Sequence, residues 1–588
     1  MNHLFAIHAD ITRLAADAIV YSTTRGLHMN GLLYASFSRA DAGFEAACTA
    51  ARERTKTFAV GDAFVIGACA PGDGGAGARQ APVVIGVIAL TSESRRADYV
   101  AGRVVPAMSA VDEIRAAVTG SVSCAVEVLR AAGRKGRLLV VVPLFLQGLG
   151  GGRHQSHALV EAQVRATLVE LDRHEELDIA LAAYTDELYR VLLDARRKVT
   201  PVAPMTVPRE LVAAFRAREG VLFVGSGVSL PADLPGWSDL IQELREQLEL
   251  ARDDHDGVDD FLDLAQWHRE NIPASAVNGL GKVVGALFGR KRRPTLAHYL
   301  LLALGARTLI TTNYDRLLEE ASIGLGHQPH TIVDAKDVPR AIDEDQRAVV
   351  KLHGDAERPD SIVLSRDDYD HFETDHQAMA LLVQGLLLTR TFLFVGYSLR
   401  DPDFRRLHAR IARMLGESQR KAHATTFDRP KLHAITQWDK KNVSLVPLEP
   451  TPDHEGALAR WLDGLVDAVR AEPVLLAPAV DMPATPDIAA LREHLCHAGE
   501  ALERAVESVA DARQAHLVAQ GLEALVQLGW KPNGRRLWEL WKILGERAGA
   551  PERTRLLRRA LAATESAGAR ELVESLLATP AVDPTSST

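Results

Sequence analysis

The stretch "LFVGSGVSLPADLPGW", Leu222 to Trp237, joins an apolar run to a small-residue turn and then to a proline-framed loop. An apolar run of this length is typical of a strand buried on both faces, and the helical pattern "GWSDLIQELREQLEL" follows it. The turn lacks the Gly-Lys-Ser/Thr of a P-loop, and Leu230 stands where a dinucleotide-binding fingerprint has its third glycine. Taken alone, the turn is equally consistent with a tight connection and with a phosphate cradle.

Three further apolar runs in the middle of the chain also end in polar residues. They are "RTLITTNYD", "AVVKLHGD" and "TFLFVGYSLRDPDF", and helical stretches separate them. Buried strands that alternate with helices predict an α/β fold with a mostly parallel, doubly wound sheet. Because ligands bind beyond the carboxyl ends of the strands in such sheets, we expect the four polar strand ends to meet at one edge.

The composition is that of a water-soluble protein with several domains: 588 residues, 47% hydrophobic and 25% charged. No apolar run is long enough to span a bilayer and the first residues lack the features of a secretion signal, so we expect a cytoplasmic protein without a membrane partner. The four cysteines are scattered without a CxxC pair, so neither a disulfide framework nor a metal site is predicted. The net charge of −9 disfavours a broad nucleic-acid surface. The basic run "GRKRRP", residues 289–294, is either a phosphate contact or a solvated loop.

Two proline-rich stretches, Arg196–Glu210 and Glu472–Asp487, predict domain boundaries, because proline removes backbone donors and stiffens a connection. They divide the chain into an α/β domain at 1–200, the doubly wound domain at 208–471 and a last domain at 487–580. In the last domain, apolar residues recur at the three-and-four spacing of amphipathic helices. We expect an all-α helical domain there, used for packing or assembly.

In this order, "GSGVS", "TTNYD", "KLHGD" and "GYSLRDPDF" resemble the motifs of the sirtuin fold, and most of all its bacterial SIR2-like branch, found in anti-phage defence effectors that destroy NAD. The resemblance covers roughly Pro208 to Ala471. It implies a Rossmann-type domain with NAD as substrate, in which Asn313 is the catalytic asparagine, Asp315 faces the nicotinamide and His353 is the general base. The cofactor-binding residues that it implies are Gly225, Ser226, Gly227, Ser229, Pro235, Trp237, Thr312, Gly396 and Ser398.

The chemistry of these side chains agrees with that assignment. Cleaving the bond between ribose and nicotinamide builds positive charge on the sugar. An asparagine can hold a hydroxyl or a water through paired donor and acceptor groups, and an unperturbed histidine, with a pKa of ~6.5, can take up a proton near neutral pH. The alternatives are that Asn313 only forms a turn, that His353 is structural, and that Asp401 only caps a helix.

Protein-deacylating sirtuins carry a zinc module with two CxxC pairs, whereas residues 355–390 of this chain contain no cysteine. They carry "DSIVLSRDDYDHF" instead, which looks like the NAD-consuming branch. The sequence therefore predicts an NAD glycohydrolase that releases nicotinamide and ADP-ribose, with cyclisation of the product left open. The alternatives are a non-catalytic NAD or ADP-ribose sensor or scaffold, and a zinc-free deacylase or ADP-ribosyltransferase.

The first 200 residues resemble a macro domain, an α/β module that binds ADP-ribose, through "FAIHADITRLAADAIVYSTTRGL" and "LLVVVPLFLQGLGGG". The resemblance implies a ligand site at Asp10, Ile11, Gly148, Gly150 and Gly151. The family's asparagine pair is replaced by "YSTT", residues 21–24, so the domain either senses an ADP-ribose-derived signal or is degenerate. Because unregulated NAD loss would kill the cell, we expect a gated effector that causes abortive infection. We also expect a homo-oligomer or a partner protein bound through the helical C-terminus.

Overall fold

The computed structural model describes most of the first 471 residues and a few residues beyond them. The chain divides into two compact units, Met1–Glu472 and Pro473–Thr588. The described residues are 2–23, 49, 60–68, 83–88, 110–145, 156–200, 207–248, 261–342, 346–397, 420–427, 432–471, 540, 542–544 and 557. The predicted C-terminal helical domain and the linker before it lie almost entirely outside these residues.

A six-stranded sheet forms the first part of the larger unit, in the order β1-β6-β5-β2-β4-β3. All neighbouring strands are parallel except β3, which pairs antiparallel with β4. The strands are β1 (His3–His8), β2 (Ala18–Thr23), β3 (Ala63–Ala68), β4 (Val83–Ile88), β5 (Leu138–Pro143) and β6 (Leu177–Ala183). The described helices of this part are α1 (Ala110–Ala131), α2 (Ser156–Arg173) and α3 (Asp186–Val199).

The sequence of α3 explains both its ends and its buried face. Thr185 caps the helix by accepting a hydrogen bond from the Leu188 N–H, acidic residues occupy the first turn and basic residues the last, as the helix dipole favours. Tyr189 and Leu192 lie on the face that packs into the core. Strand β6 is buried along its whole length, as expected for an inner strand covered on both faces.

A seven-stranded, entirely parallel sheet forms the second part, in the order β13-β12-β11-β7-β8-β10-β9. Its strands are β7 (Gly220–Val224), β8 (Thr308–Thr311), β9 (His330–Ile332), β10 (Ala348–Lys351), β11 (Thr391–Val395), β12 (Ala422–Thr426) and β13 (Val443–Pro447). Its described helices are α4 (Arg209–Arg216), α5 (Trp237–Gln247), α6 (Phe261–Asn271), α7 (Leu280–Phe288), α8 (Leu296–Ala303), α9 (Leu317–Gly324), α10 (Arg366–Asp370), α11 (Phe372–Asp375), α12 (Gln377–Thr389), α13 (Leu432–Asp439) and α14 (His454–Arg470).

The strand order confirms the predicted doubly wound fold. From β7 the chain first builds the sheet outward through β8, then returns to the other side of β7 with β11 and continues to β12 and β13. The reversal falls between β7 and β11, and such a switch point opens a crevice at the carboxyl ends of the strands. The apolar residues at the start of "LFVGSGVSLPADLPGW" thus belong to β7, the central strand of the sheet.

The two sheets share one hydrophobic core. Residues such as Ile7, Leu192 and Tyr299 belong to the same buried cluster as Leu222 and Leu462. The proline-rich stretch that predicted a boundary is partly helical, since α3 runs to Val199 and α4 begins at Arg209, while residues 201–206 lie outside the described part. The division into three domains remains a prediction, but the first two predicted domains are packed together extensively.

No helix within the described ranges is long and apolar enough to cross a membrane.

Candidate functional site

The four strands with polar carboxyl ends lie side by side in the sheet, in the order β11, β7, β8, β10. Val224 pairs with Val395 on one side and with Thr311 on the other, and Thr311 pairs with Lys351. All four strands run in parallel, so the residues that follow them emerge at the same edge. The motif segments therefore meet as expected, although they are far apart in sequence.

The glycine turn after β7 packs directly against the turn after β11. The Gly225 N–H donates to the Val395 carbonyl (2.9 Å) and the Gly227 N–H to the Gly396 carbonyl (3.0 Å). A Cβ atom on Gly225 would lie 2.4 Å from the Gly396 oxygen, and Gly396 has a φ of +61°. Only glycine at 225 and 396 permits this approach of two backbones, so both residues already have a structural reason to be glycine.

A 3₁₀ turn over Ser226–Val228 continues from Gly225 and leaves the Ser226 side chain exposed, while Ser229 is buried. The loop then reaches Pro235, which is half-buried, and Gly236, whose N–H donates to Asp239 Oδ2 at the start of α5. Trp237 is the first residue of that helix. Ser398 and Asp401 lie outside the described residues.

Asn313 reaches across to the glycine-rich turn. Its Nδ2 donates to Ser229 Oγ at 3.2 Å, and its backbone N–H donates to Thr311 Oγ1 at 3.0 Å. The Thr311 hydroxyl in turn donates to the Val224 carbonyl at 2.8 Å, which ties the loop after β8 to the end of β7. This long-range contact differs from a turn former, whose side chain bonds to its own neighbouring backbone. Thr312, the residue between Thr311 and Asn313, is half-buried.

The Asp315 side chain, unlike that of Asn313, forms a hydrogen bond with the neighbouring backbone. Its Oδ1 accepts the Leu317 N–H at 3.0 Å, next to the first turn of α9, and the residue is buried. The buried His298 on α8 interacts electrostatically with Asp315. Burial lowers the pKa of His298 to about 4, against a smaller opposing effect of the Asp315 charge, so its imidazole is neutral at physiological pH.

His353 emerges from β10 at the position that matches Asn313 on β8, because Thr311 and Lys351 are register partners. The imidazole is buried, and its Nδ1 lies 3.3 Å from the Tyr369 hydroxyl. Gly354 follows with a φ of +92°, and a Cβ there would lie 2.1 Å from the Ser361 carbonyl oxygen. The loop that carries His353 is thus tightly packed.

Three residues that shape this site were not singled out in the sequence: Thr311, Lys351 and Tyr369. Lys351 is fully buried between Glu319 and Asp355. A lysine inside the apolar run "AVVKL" was the available signal, since charged side chains are almost never fully buried unless they are paired. Tyr369 lies in the segment "DSIVLSRDDYDHF", whose pattern indicates the NAD-consuming branch but no role for this tyrosine.

The described part of the chain contains no group of three or more His, Cys, Asp or Glu side chains arranged to hold a metal ion.

In the first sheet, the predicted ligand residues Asp10 and Ile11 are both buried. Asp10 Oδ1 accepts from the Thr12 N–H (3.0 Å) and the Thr12 hydroxyl (2.6 Å), so this carboxylate oxygen closes a local turn. The Tyr299 hydroxyl on α8 donates to the Asp10 carbonyl at 3.5 Å. The predicted glycines Gly148, Gly150 and Gly151 lie outside the described residues.

Comparison with known proteins agrees with the motif assignment. Residues 307–446 match the family model described as a SIR2-like domain. The NAD(+) hydrolase ThsA of Cytobacillus dafuensis is 30% identical over 212 residues, which cover 36% of this chain and 42% of that protein. Defense-associated sirtuin 2 of Bacillus subtilis is 28% identical over 231 residues, which cover 38% of this chain and 22% of that protein. The match thus spans less than half the length of each of these relatives.

Among solved structures, a macrodomain of Oceanobacillus iheyensis with ADP is 13% identical, with a TM-score of 0.24, and the match covers 33% of this chain and 88% of that chain.

In the second sheet, the order of the motifs, the parallel topology and the family match over β8 to β13 agree with one another. The middle part of this chain is a SIR2-like domain.

Proposed function

We propose that this protein is an NAD glycohydrolase that cleaves NAD to nicotinamide and ADP-ribose. The proposal depends above all on the Asn313 carboxamide, which is held by Ser229 at the edge where the Gly225–Gly227 turn and the His353 loop also emerge. Relatives that align with this part of the chain are named NAD(+) hydrolases. The alignments span less than half of those proteins. The activity of the whole chain is therefore our proposal and is not taken from the names of these relatives.

Each side chain has a distinct role in the proposed reaction. Asn313 holds the ribose hydroxyl or the attacking water, while its Nδ2 keeps the bond to Ser229. Asp315 uses Oδ2, because Oδ1 is occupied by the Leu317 N–H, to accept from the carboxamide of the leaving nicotinamide. His353 takes up the proton from the ribose hydroxyl or water, and Tyr369 orients its ring through Nδ1.

In the proposed binding mode, the pyrophosphate lies on the Gly225–Ser229 turn, whose N–H groups and hydroxyls are suited to anionic oxygens. Pro235, in the loop before α5, and Trp237, the first residue of α5, close over the cofactor in this binding mode. The remaining predicted contacts are Thr312, Gly396 and Ser398. No metal takes part in this scheme.

We further propose that the activity is gated and serves anti-phage defence; the name of the Bacillus subtilis relative associates that protein with defence. In this view residues 1–200 receive an ADP-ribose-derived signal, and the helical C-terminus mediates assembly with a second copy or a partner protein in the cytoplasm. Because the first part shares its core with the SIR2-like part, point variants at Asp10 test this gate better than deletion of residues 1–200.

The direct test incubates the full-length protein with NAD and follows nicotinamide release, with and without ADP-ribose and its cyclic derivatives. His353→Ala should lower the rate at least 100-fold, since general-base help alone is worth roughly 10² to 10⁴. Asn313→Ala should also lower it about 100-fold, because a displacement of about 1 Å in a reacting group can have that effect. Asn271→Ala and His371→Ala, which remove exposed side chains of the same two types, should leave the rate unchanged. Circular dichroism confirms that the variants are folded.

Three results would contradict the proposal. Full activity in either site variant would remove the assigned role of that residue. NAD left intact under every activating condition, but bound, would favour a sensor or scaffold. Removal of an acetyl group from a peptide substrate, with NAD consumed only in that reaction, would favour a zinc-free deacylase.

A further inference from the structure

The most unusual charged residue of the SIR2-like part is Lys351. It is the last residue of β10, and its side chain is fully buried at the sheet edge that carries the proposed site. A buried ammonium costs several kcal/mol unless ion pairs and hydrogen bonds offset the loss of water. The contacts of this lysine therefore indicate what its burial achieves.

The ammonium group has acceptors from two separate loops. Nζ donates to the backbone carbonyls of Tyr314 (3.0 Å) and Asp315, in the loop after β8. It also pairs with Asp355 Oδ2 at 3.0 Å, in the loop after β10. An ammonium has three N–H donors, and these three acceptors match them in number.

A second carboxylate, Glu319 on α9, lies 3.5 Å from the same nitrogen and is also buried. Burial raises the pKa of Glu319 above its ordinary value, against a smaller opposing effect of the Lys351 charge. Asp355 is closer and is therefore the main charge partner of the lysine. The cluster thus joins β10, the loop after β8 and α9.

The two loops joined in this way are those that carry Asn313 and His353. Tyr314, whose carbonyl is held, is the residue after Asn313, and Asp355 is the second residue after His353. On its other side, the Asp355 loop is fixed by the Asp355 N–H donating to Ser361 Oγ at 3.0 Å. One ammonium group consequently bridges the two loops without belonging to either proposed reactive group. It adds to the hydrogen bond that the Ala356 N–H donates to the Tyr314 carbonyl (3.0 Å) and to the Arg316–Glu357 ion pair, which join the same two loops.

We propose that Lys351 is a positioning residue that aligns Asn313 with His353 by tying the backbone of the two loops together. This inference depends on the proposed function, since it deepens the account of the same site. Lys351 does not touch the substrate in this proposal. Its loss should therefore lower kcat while leaving KM nearly constant, because a displacement of about 1 Å in a reacting group can lower the rate about 100-fold.

The test compares Lys351→Met with Arg347→Met in the full-length protein. Arg347 stands at the opposite end of β10 and likewise donates to two backbone carbonyls, those of Ala306 (3.2 Å) and Leu302 (3.2 Å). We expect kcat for nicotinamide release to fall about 100-fold in Lys351→Met with KM changed less than threefold, and to stay within threefold of the wild-type value in Arg347→Met. Lys351→Arg retains the charge, and its kcat should be at least tenfold higher than that of Lys351→Met.

Hydrogen–deuterium exchange supplies a readout that needs no activity. In Lys351→Met, amides at 313–317 and 353–358 should exchange at least tenfold faster, while those of β7 and β11 stay as in the wild type. If Lys351→Met does not fold, Asp355→Asn removes the main charge partner at nearly constant volume and should show the same pattern more weakly.

A folded Lys351→Met protein with kcat within threefold of the wild type, or equal losses of kcat in Lys351→Met and Arg347→Met, would overturn the positioning role. Unchanged exchange in both loops would overturn it as well. If the wild-type protein itself releases no nicotinamide, the proposed function fails, and the exchange experiment still decides whether Lys351 ties the loops together.

Discussion

A buried ion pair between the two halves of the larger unit provides a quantitative test of the fold. Arg196 on α3 donates to both carboxylate oxygens of Asp463 on α14, at 2.8 and 2.7 Å, and to the Leu4 carbonyl at 3.2 Å. Both side chains are almost fully buried, and the other close partner of Asp463 is His3 Nε2 at 2.9 Å. Among the described residues, Arg196→Met would thus leave the buried Asp463 carboxylate with His3 as its one close partner, while Asp467, which Arg196 also contacts at 3.3 Å, would keep Arg197.

We expect Arg196→Met to lower the free energy of unfolding by about 3–5 kcal/mol, the usual result of removing one partner from a buried ion pair. The double variant Arg196→Met/Asp463→Leu should recover most of this loss, because two apolar side chains leave no buried charge uncompensated. Arg190→Met on the same helix removes an exposed pair with Asp186 and should cost less than about 1 kcal/mol.

Urea unfolding followed by tryptophan fluorescence is the appropriate assay, because all seven tryptophans lie at or beyond Trp237. If residues 1–200 formed an independent domain, the loss of Arg196 would leave the fluorescence transition in place. A transition unchanged by Arg196→Met, or a double variant no more stable than the single one, would refute the inference that the two sheets share one cooperative core.

Two further predictions follow from single residues. Gly225→Ala should lower nicotinamide release at least tenfold and destabilise the protein by about 1–3 kcal/mol, because its Cβ would lie 2.4 Å from the Gly396 oxygen; an active, equally stable variant in thermal unfolding would contradict this. Neither ring nitrogen of His423 on β12 has a hydrogen-bond partner among the described residues, and burial lowers its pKa to about 4, with smaller effects of Glu210 (raising) and Lys421 (lowering). The unfolded chain then takes up this proton first as the pH falls from ~6.5 to ~4, which lowers the free energy of unfolding by up to about 1.4 kcal/mol per pH unit. His423→Leu should reduce that slope without loss of stability at pH 7, as urea unfolding at pH 7 and pH 4.5 would show; an unchanged slope would contradict the assignment.

The sequence predicts four strands of the second sheet, β7, β8, β10 and β11, because their apolar runs are continuous and end at polar residues. It also predicted that four motif segments would meet, since a parallel sheet brings carboxyl ends to one edge. The contact of Asn313 with Ser229, 84 residues away, could be anticipated only through that topology.

Other features could not be predicted, because they depend on pairs that no local pattern joins. Arg196 and Asp463 are 267 residues apart, and the prolines between α3 and α4 suggested a boundary where the core is in fact continuous. Lys351 is visible as a charge in an apolar strand, and Asp355 follows it by four residues, but its other partners belong to a loop and a helix that precede it by more than 30 residues. The resemblance predicts that the glycines at 225 and 396 contact the ligand, and the sequence gives no sign that their mutual approach also requires glycine.

The helices α8 and α9 touch both the proposed catalytic residues and the first sheet. On α8, His298 interacts with Asp315 while the next residue, Tyr299, donates to the Asp10 carbonyl.

On α9, Glu319 pairs with Lys351 while the next residue, Glu320, accepts from Arg13 at 2.8 Å. Consecutive residues of a helix point about 100° apart, so each helix can serve two surfaces at once. The turn at Asp10–Arg13 is also held by Arg293, which donates to the Thr12 carbonyl at 2.6 Å. A ligand that displaced this turn would therefore act on α8, whose His298 interacts electrostatically with Asp315, and on α9, whose Glu319 pairs with Lys351, and this is the route that we propose for the gate.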